Sequence, residues 1–66
     1  MKVTYDPHVD AMRISLNDAP VAESDENKPG VILDYDKDDR VVGVEFLGIS
    51  TRATKAELSS LQFQTA

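Results

Sequence analysis

The segment Tyr5–Leu16 reads YDPHVDAMRISL, and the segment Tyr35–Phe46, thirty residues later, reads YDKDDRVVGVEF. The two align without a gap, since each begins with a Tyr-Asp pair, continues through polar or turn-forming residues and ends in alternating apolar residues. Alternation with a period of two is typical of a β-strand with one buried face, and Asp-Pro is a turn starter. The repeat therefore predicts two β-hairpins built to one plan, with the rings of Tyr5 and Tyr35 buried.

The sequence around this repeat predicts the remaining elements. Val21–Glu26 is a weak strand candidate whose charges suit an exposed sheet edge, where they discourage further pairing. Thr54 and Glu57 have the spacing of a helix capping box. We therefore predict an α+β fold, a small antiparallel β-meander of four to five strands with a short C-terminal helix. It forms a single domain over residues 1–66, with the sheet in about 1–49 and the helix and tail in about 50–66.

Size and charge exclude several functional classes. A chain of 66 residues has a thin core, and with no cysteine it has neither a disulfide nor a Cys/His zinc site to stabilise it. The net charge is −5 and no basic stripe is present, which argues against a nucleic-acid partner. No apolar run approaches the length of a membrane span. We expect a soluble, cytoplasmic protein with no nucleic-acid or membrane partner and no cofactor.

Catalytic chemistry has little support in the sequence. His8, the only histidine, falls in a predicted turn, and neither a serine nor a cysteine is placed to form a nucleophilic triad with it. The glycines Gly30, Gly43 and Gly48 are isolated, so no phosphate-binding loop is present. The prediction is that the protein is not an enzyme.

An acidic segment is the strongest candidate for a ligand site. Asp34, Asp36, Asp38 and Glu45 stand at the first, third, fifth and twelfth positions of a calcium-binding EF-hand loop. Asp39 stands at the sixth position, where the loop needs glycine, and the flanking residues have strand rather than helix patterns. Two interpretations remain open: a metal-binding module that uses these acids, or an ordinary acidic hairpin turn.

A second set of apolar residues predicts an interface. Alternation along the strands assigns them to the face opposite Val42, Val44 and Phe46. They are Ile32, Val41, Leu47 and Ile49. The short helix offers little apolar surface to cover them, so we expect a symmetric homodimer, or a small protein partner, at this surface.

Several short segments, taken in order, resemble a known family. They are Tyr5–Pro7, Asp10–Ala11, Ile14, Leu16, Val21–Ser24, Gly30–Asp36 and Val42–Glu45. Over about residues 1–51 the chain resembles the small prokaryotic proteins of the domain of unknown function 2283 family. The resemblance implies a compact β-rich domain with no established activity, and a small toxin-like protein as a candidate partner. The leading hypothesis is a non-enzymatic protein-interaction module.

Overall fold

The computed structural model describes residues 1–65. Its elements are β1 Lys2–Asp6, β2 Ala11–Ser15, β3 Glu23–Lys28, β4 Val31–Tyr35, β5 Val41–Leu47, a 3-10 turn Ile49–Thr51 and α1 Lys55–Ser59. The strands form one antiparallel sheet in the order β1-β2-β5-β4-β3. The predicted α+β class, with an antiparallel sheet and a short C-terminal helix, is confirmed.

The repeated segments form the two hairpins β1–β2 and β4–β5, which lie side by side because β2 pairs with β5. The matching aspartates of the repeat organise the two turns in the same way. Asp6 Oδ1 accepts a hydrogen bond from the backbone N–H of His8 at 2.9 Å, and Asp36 Oδ1 accepts one from Asp38 at 2.8 Å. An aspartate that hydrogen-bonds the backbone two residues on is the local signal of a turn, so the sequence repeat is also a structural repeat.

Strand β3 lies at the far edge of the sheet, as its charges predicted, and all of its residues are exposed. The predicted boundaries Val21–Glu26 are two residues too early. The strand runs on to the Pro29–Gly30 turn, in which Gly30 has a φ of 77°, a value that L-residues with side chains rarely adopt. The pairing of β3 with β4 shifts register between Glu26 and Lys28.

The segment after β5 crosses one end of the sheet and is tied to both sides of it. Ser50 Oγ donates a hydrogen bond to Asp10 Oδ2 at 2.6 Å, which attaches the segment to the turn between β1 and β2. Arg52 Nη2 donates to the Pro29 carbonyl at 3.0 Å, which attaches it to the turn between β3 and β4. Ile49, the residue directly before Ser50, is buried with 6% of its surface exposed.

The capping box is confirmed, since Thr54 Oγ1 accepts from the Glu57 N–H and the Glu57 carboxylate accepts from the Thr54 N–H. Helix α1 nevertheless contacts the strands only slightly. Leu58 is half-buried and lines a small cavity with Tyr5 and Pro7. The helix has five residues, and no helix within residues 1–65 is long and apolar enough to cross a membrane.

Cross-strand pairing places nine apolar side chains on one side of the sheet, here called the apolar face. They are Val3, Tyr5, Met12, Ile14, Val31, Leu33, Val42, Val44 and Phe46. The expectation that Ile14 and Val44 share a face is confirmed, since they are directly paired. Among these nine residues only Val42 is fully buried. The expectation of buried Tyr5 and Tyr35 rings is wrong for Tyr5, which is 40% exposed because β1 is an edge strand. Tyr35 is half-buried.

Candidate functional site

The opposite side of the sheet carries a polar cluster formed by Arg13 on β2, Ser24 on β3, Asp34 on β4 and Glu45 on β5. The register explains it, because Arg13 pairs with Glu45 and Ser24 pairs with Asp34 on adjoining strands. Arg13 Nε donates to Asp34 Oδ2 at 3.1 Å, and Ser24 Oγ donates to Asp34 Oδ1 at 2.6 Å. Asp34 is 1% exposed, whereas the Arg13 side chain is 34% exposed. One buried carboxylate therefore links three strands.

Gly43 makes this ion pair possible. Arg13 must pass over β5 to reach Asp34, and Gly43 is the β5 residue directly opposite Asp34. A Cβ atom at this position would lie 2.5 Å from Arg13 Nη2 and 3.1 Å from Asp34 Oδ2. Contacts this short force a neighbouring group to move, so the absence of a side chain at position 43 is what allows the guanidinium to lie across the strand.

The cluster shifts the pKa values of its two acids in opposite directions. Burial alone would raise the pKa of Asp34, but hydrogen bonds from Ser24, Glu45 and Arg13, together with the positive charge of Arg13, lower it. Burial raises the pKa of Glu45, and the hydrogen bond to Asp34 and the negative charge of Asp34 raise it further, against the charge of Arg13. Asp34 is therefore the acid that holds the charge, and Glu45 is the one that more readily keeps a proton.

The chemistry available at the cluster is limited. Ser24 Oγ donates a hydrogen bond to Asp34, but the lowered pKa of Asp34 makes its carboxylate a weak base for activating a serine hydroxyl. Within residues 1–65 every buried side-chain nitrogen or oxygen has a hydrogen-bond partner, which leaves no buried polar group waiting for a ligand. An open depression of ≈ 570 Å³ lies above the cluster, with Lys2 and Asn17 among its lining residues. The hydrogen bonds of the cluster connect β2, β3 and β4.

The four metal-ligand candidates do not converge. Asp34 and Glu45 are neighbours in the polar cluster, whereas Asp36 accepts hydrogen bonds from the backbone N–H groups of Asp38 and Arg40 in the turn. These two hydrogen bonds lower the pKa of Asp36, and the one from the Arg40 N–H has the larger effect. Asp38 is exposed in the same turn. No group of three or more His, Cys, Asp or Glu residues within the described chain is placed to hold a metal ion.

The four interface candidates lie in different surroundings. Ile32 is half-buried next to Glu45, and Leu47, near it at the same end of the sheet, is exposed. Val41 is exposed at the opposite end of β5, beside the register shift in the pairing with β4. Ile49 is buried within the chain itself in the 3-10 turn. The structure therefore brings together only Ile32 and Leu47 of this set, and the larger exposed apolar surface is the apolar face.

The polar cluster contains residues that the sequence reasoning did not single out. Arg13 lies within one of the repeated segments and Ser24 within the predicted edge strand, but neither residue was a candidate for a site. A signal was present, because Arg13, Asp34 and Glu45 stand at the alternate positions of their strands that the apolar residues leave free. The pairing of β2 with β5 and of β3 with β4, which the alternation does not specify, decides that these positions meet.

Comparison with known protein families matches residues 2–50 to the family described as Protein of unknown function (DUF2283). The match covers most of the chain. The chain belongs to the DUF2283 family. The matched range includes all five strands and all four residues of the polar cluster, and it ends before α1. No curated protein and no solved structure matches this DUF2283 chain.

Proposed function

We propose that this DUF2283 protein is a non-enzymatic protein-interaction module that binds a second copy of itself through the apolar face. The observation that carries the proposal is the incomplete burial of that face. Eight of its nine residues remain partly or largely exposed. Exposed Tyr5 and Val3 lie at its β1 edge, next to half-buried Met12 and Ile14. Contiguous apolar surface of this kind marks binding sites in soluble proteins.

The amount of exposed surface fits one half of a dimer interface. The accessible surface is 5157 Å², whereas a compact monomer of 7.3 kDa exposes about 4,200 Å². The radius of gyration is 12.5 Å, against about 11 Å for a compact domain of this length. The excess of about 1,000 Å² includes the exposed C-terminal tail, and it is comparable with the roughly 800 Å² that each partner buries in a standard interface.

The charge pattern favours a second copy as the partner. The central strands β2, β5 and β4 place no charged residue on the apolar face, and neither does β1. Glu23 and Asp25 do lie on this side of the sheet, but at its β3 edge, where they pair with Tyr35 and Leu33. Two sheets can therefore stack face to face about a two-fold axis without a like-charge contact in the centre, as the sheets of a β-sandwich do.

The polar side of the sheet supports the non-enzymatic part of the proposal. Its buried groups hydrogen-bond one another, and the only histidine, His8, lies in the turn between β1 and β2 rather than beside the cluster. A small protein of different sequence is the alternative occupant of the apolar face, and it is one outcome of the experiment below.

Sedimentation velocity at about 100 µM protein tests the proposal on a matched pair of variants. Leu33→Lys places a charge on the apolar face, and Ile32→Lys places the same charge one residue earlier, on the opposite face. Both residues are half-buried on β4. We expect the Ile32 variant to sediment like the unmodified chain, and the Leu33 variant to stay folded but to sediment as a smaller species. An unmodified chain that stays monomeric, or an effect of the Ile32 variant alone, would refute the proposed face.

A further inference from the structure

The two edges of the sheet differ in how they are protected from further pairing. The β3 edge carries Glu23, Asp25 and Glu26 and has a register shift near its end. Charge and irregularity of this kind discourage a strand from pairing with another chain. The β1 edge, with sequence KVTYD, is regularly paired with β2 over its whole length and carries one positive and one negative charge. All five of its residues are exposed.

The backbone groups that β1 presents to solvent follow from the hydrogen bonds of its neighbour. The Leu16 N–H donates to the Val42 carbonyl at 2.8 Å, so the even-numbered residues of β2 direct their backbone groups toward β5. Its odd-numbered residues, including Arg13, then direct theirs toward β1, where Arg13 pairs with Thr4. The backbone N–H and C=O groups of Val3 and Tyr5 therefore point away from the sheet. Within residues 1–65, β1 pairs with β2 alone.

We propose that the β1 edge pairs with the β1 edge of a second copy, antiparallel and centred on Thr4. In this register Val3 lies opposite Tyr5 of the partner subunit, so the outward backbone groups of both residues are satisfied on both sides of the two-fold axis. Lys2 lies opposite Asp6 of the partner subunit, and the symmetry repeats this pair. Opposite charges directly across an antiparallel pair are stabilising, and a two-fold axis makes the contact self-complementary.

The inference rests on the proposed self-association and adds a second, separate contact to it. A two-fold axis through an antiparallel strand pair is perpendicular to the sheet, so side chains keep their face across the new contact. The two apolar faces then lie on the same side of a ten-stranded sheet. Face-to-face stacking uses a different two-fold axis, which lies between the two sheets and parallel to them. The edge contact and the face contact can therefore exist together or separately.

A charge-exchange experiment tests the edge contact. Lys2→Glu alone puts two acids opposite each other at both ends of the pair, and Asp6→Lys alone puts two bases there. We expect each variant alone to associate about tenfold more weakly than the unmodified chain. An equimolar mixture of the two variants restores opposite charges at both ends, so we expect a heterodimer with close to the original affinity. High salt should reduce all of these differences.

The mixture also controls for damage to folding. Asp6→Lys removes the acceptor of the His8 N–H in the turn, and a damaged turn would not be repaired by adding the Lys2 variant. Amide hydrogen exchange tests the edge contact in the unmodified protein, without any substitution. In the associated unmodified protein, the N–H groups of Val3 and Tyr5 should exchange more slowly than after dilution.

The outcomes separate the edge contact from the apolar-face contact. The edge pairing is overturned if amide exchange at Val3 and Tyr5 is unchanged, or if the mixture associates no more strongly than either variant alone. The proposed apolar-face contact survives that result if Leu33→Lys still weakens association. If the mixture restores association and Leu33→Lys leaves association unchanged, the edge pairing is supported and the apolar-face contact is overturned. A chain that is monomeric throughout overturns both.

Discussion

The polar cluster and the apolar face lie on opposite sides of the same strands. They differ in how completely a single chain buries their side chains and pairs their polar groups. On the polar side, Asp34 is fully buried and accepts hydrogen bonds from Arg13 and Ser24. On the apolar side, Ile14 and Val44 are paired with each other yet remain partly exposed. The comparison indicates that the polar cluster is completed within one chain, whereas the apolar face is left partly exposed, and the proposed function is that a second copy covers it.

The largest effect on stability is expected from Asp34→Ala. This change leaves Arg13 and Ser24 without their shared acceptor and removes a link between three strands, so the free energy of unfolding should fall by about 2–4 kcal/mol. Urea denaturation measures this fall, and Asp38→Ala, which removes an exposed turn acid, is the control that should change little. A fall below about 0.5 kcal/mol would show that the cluster does not stabilise the sheet.

A smaller loss of stability is expected from Gly43→Ala. The new methyl group would meet the guanidinium of Arg13 and displace it from Asp34, at a cost of about 1–2 kcal/mol in the free energy of unfolding. A double-mutant cycle with Arg13→Ala sharpens the measurement, because the cost at position 43 should shrink when the guanidinium is absent. Equal costs in both backgrounds would show that Gly43 is needed for a reason other than the passage of Arg13.

The pH dependence of stability distinguishes the two acids. The pKa of Asp34 is lowered in the folded protein, so its stabilising contribution is present at neutral pH and is lost as the pH falls through that lowered value. The pKa of Glu45 is raised, so folding stability decreases as the pH rises from the ordinary glutamate pKa to the raised one. Glu45→Gln removes the second effect and should raise the free energy of unfolding at pH 7 by about 0.5 kcal/mol.

Denaturation of the unmodified chain and this variant across the acidic range measures the difference. The two curves should converge below the ordinary glutamate pKa, where the carboxyl group of Glu45 is protonated in both the folded and the unfolded chain. A variant that is less stable than the unmodified chain at pH 7 would contradict the raised pKa of Glu45.

The smallest effect is expected from calcium. Asp34 is held by Arg13 and Ser24 on the sheet, and Asp36 is held by backbone N–H groups in the turn, so the acids are not arranged around one point. Calorimetric titration should detect no calcium site tighter than about 10 µM. A stoichiometric site below that value would restore the metal-binding hypothesis, and its loss in Asp36→Asn would locate the site.

The local sequence by itself determined several elements. The repeated Tyr-Asp segments specified both hairpins, because Asp6 and Asp36 each accept a hydrogen bond from the backbone N–H two residues later and so organise their turns. Thr54 and Glu57 specified the start of α1 in the same way, through a capping box within one helical turn. The charges of β3 specified an edge strand. Each of these features depends on neighbours in the chain, which a sequence pattern contains.

Tertiary structure alone decided how the hairpins meet and which face stays open. Arg13 and Asp34 are 21 positions apart and meet only because β2 and β4 flank β5, with Gly43 between them. Ile49 was assigned by alternation to an open face, but the chain leaves the strand after Leu47 and buries that side chain. Alternation fixes which residues of one strand share a side. Strand order, which is set by contacts between distant segments, fixes what each side finally packs against.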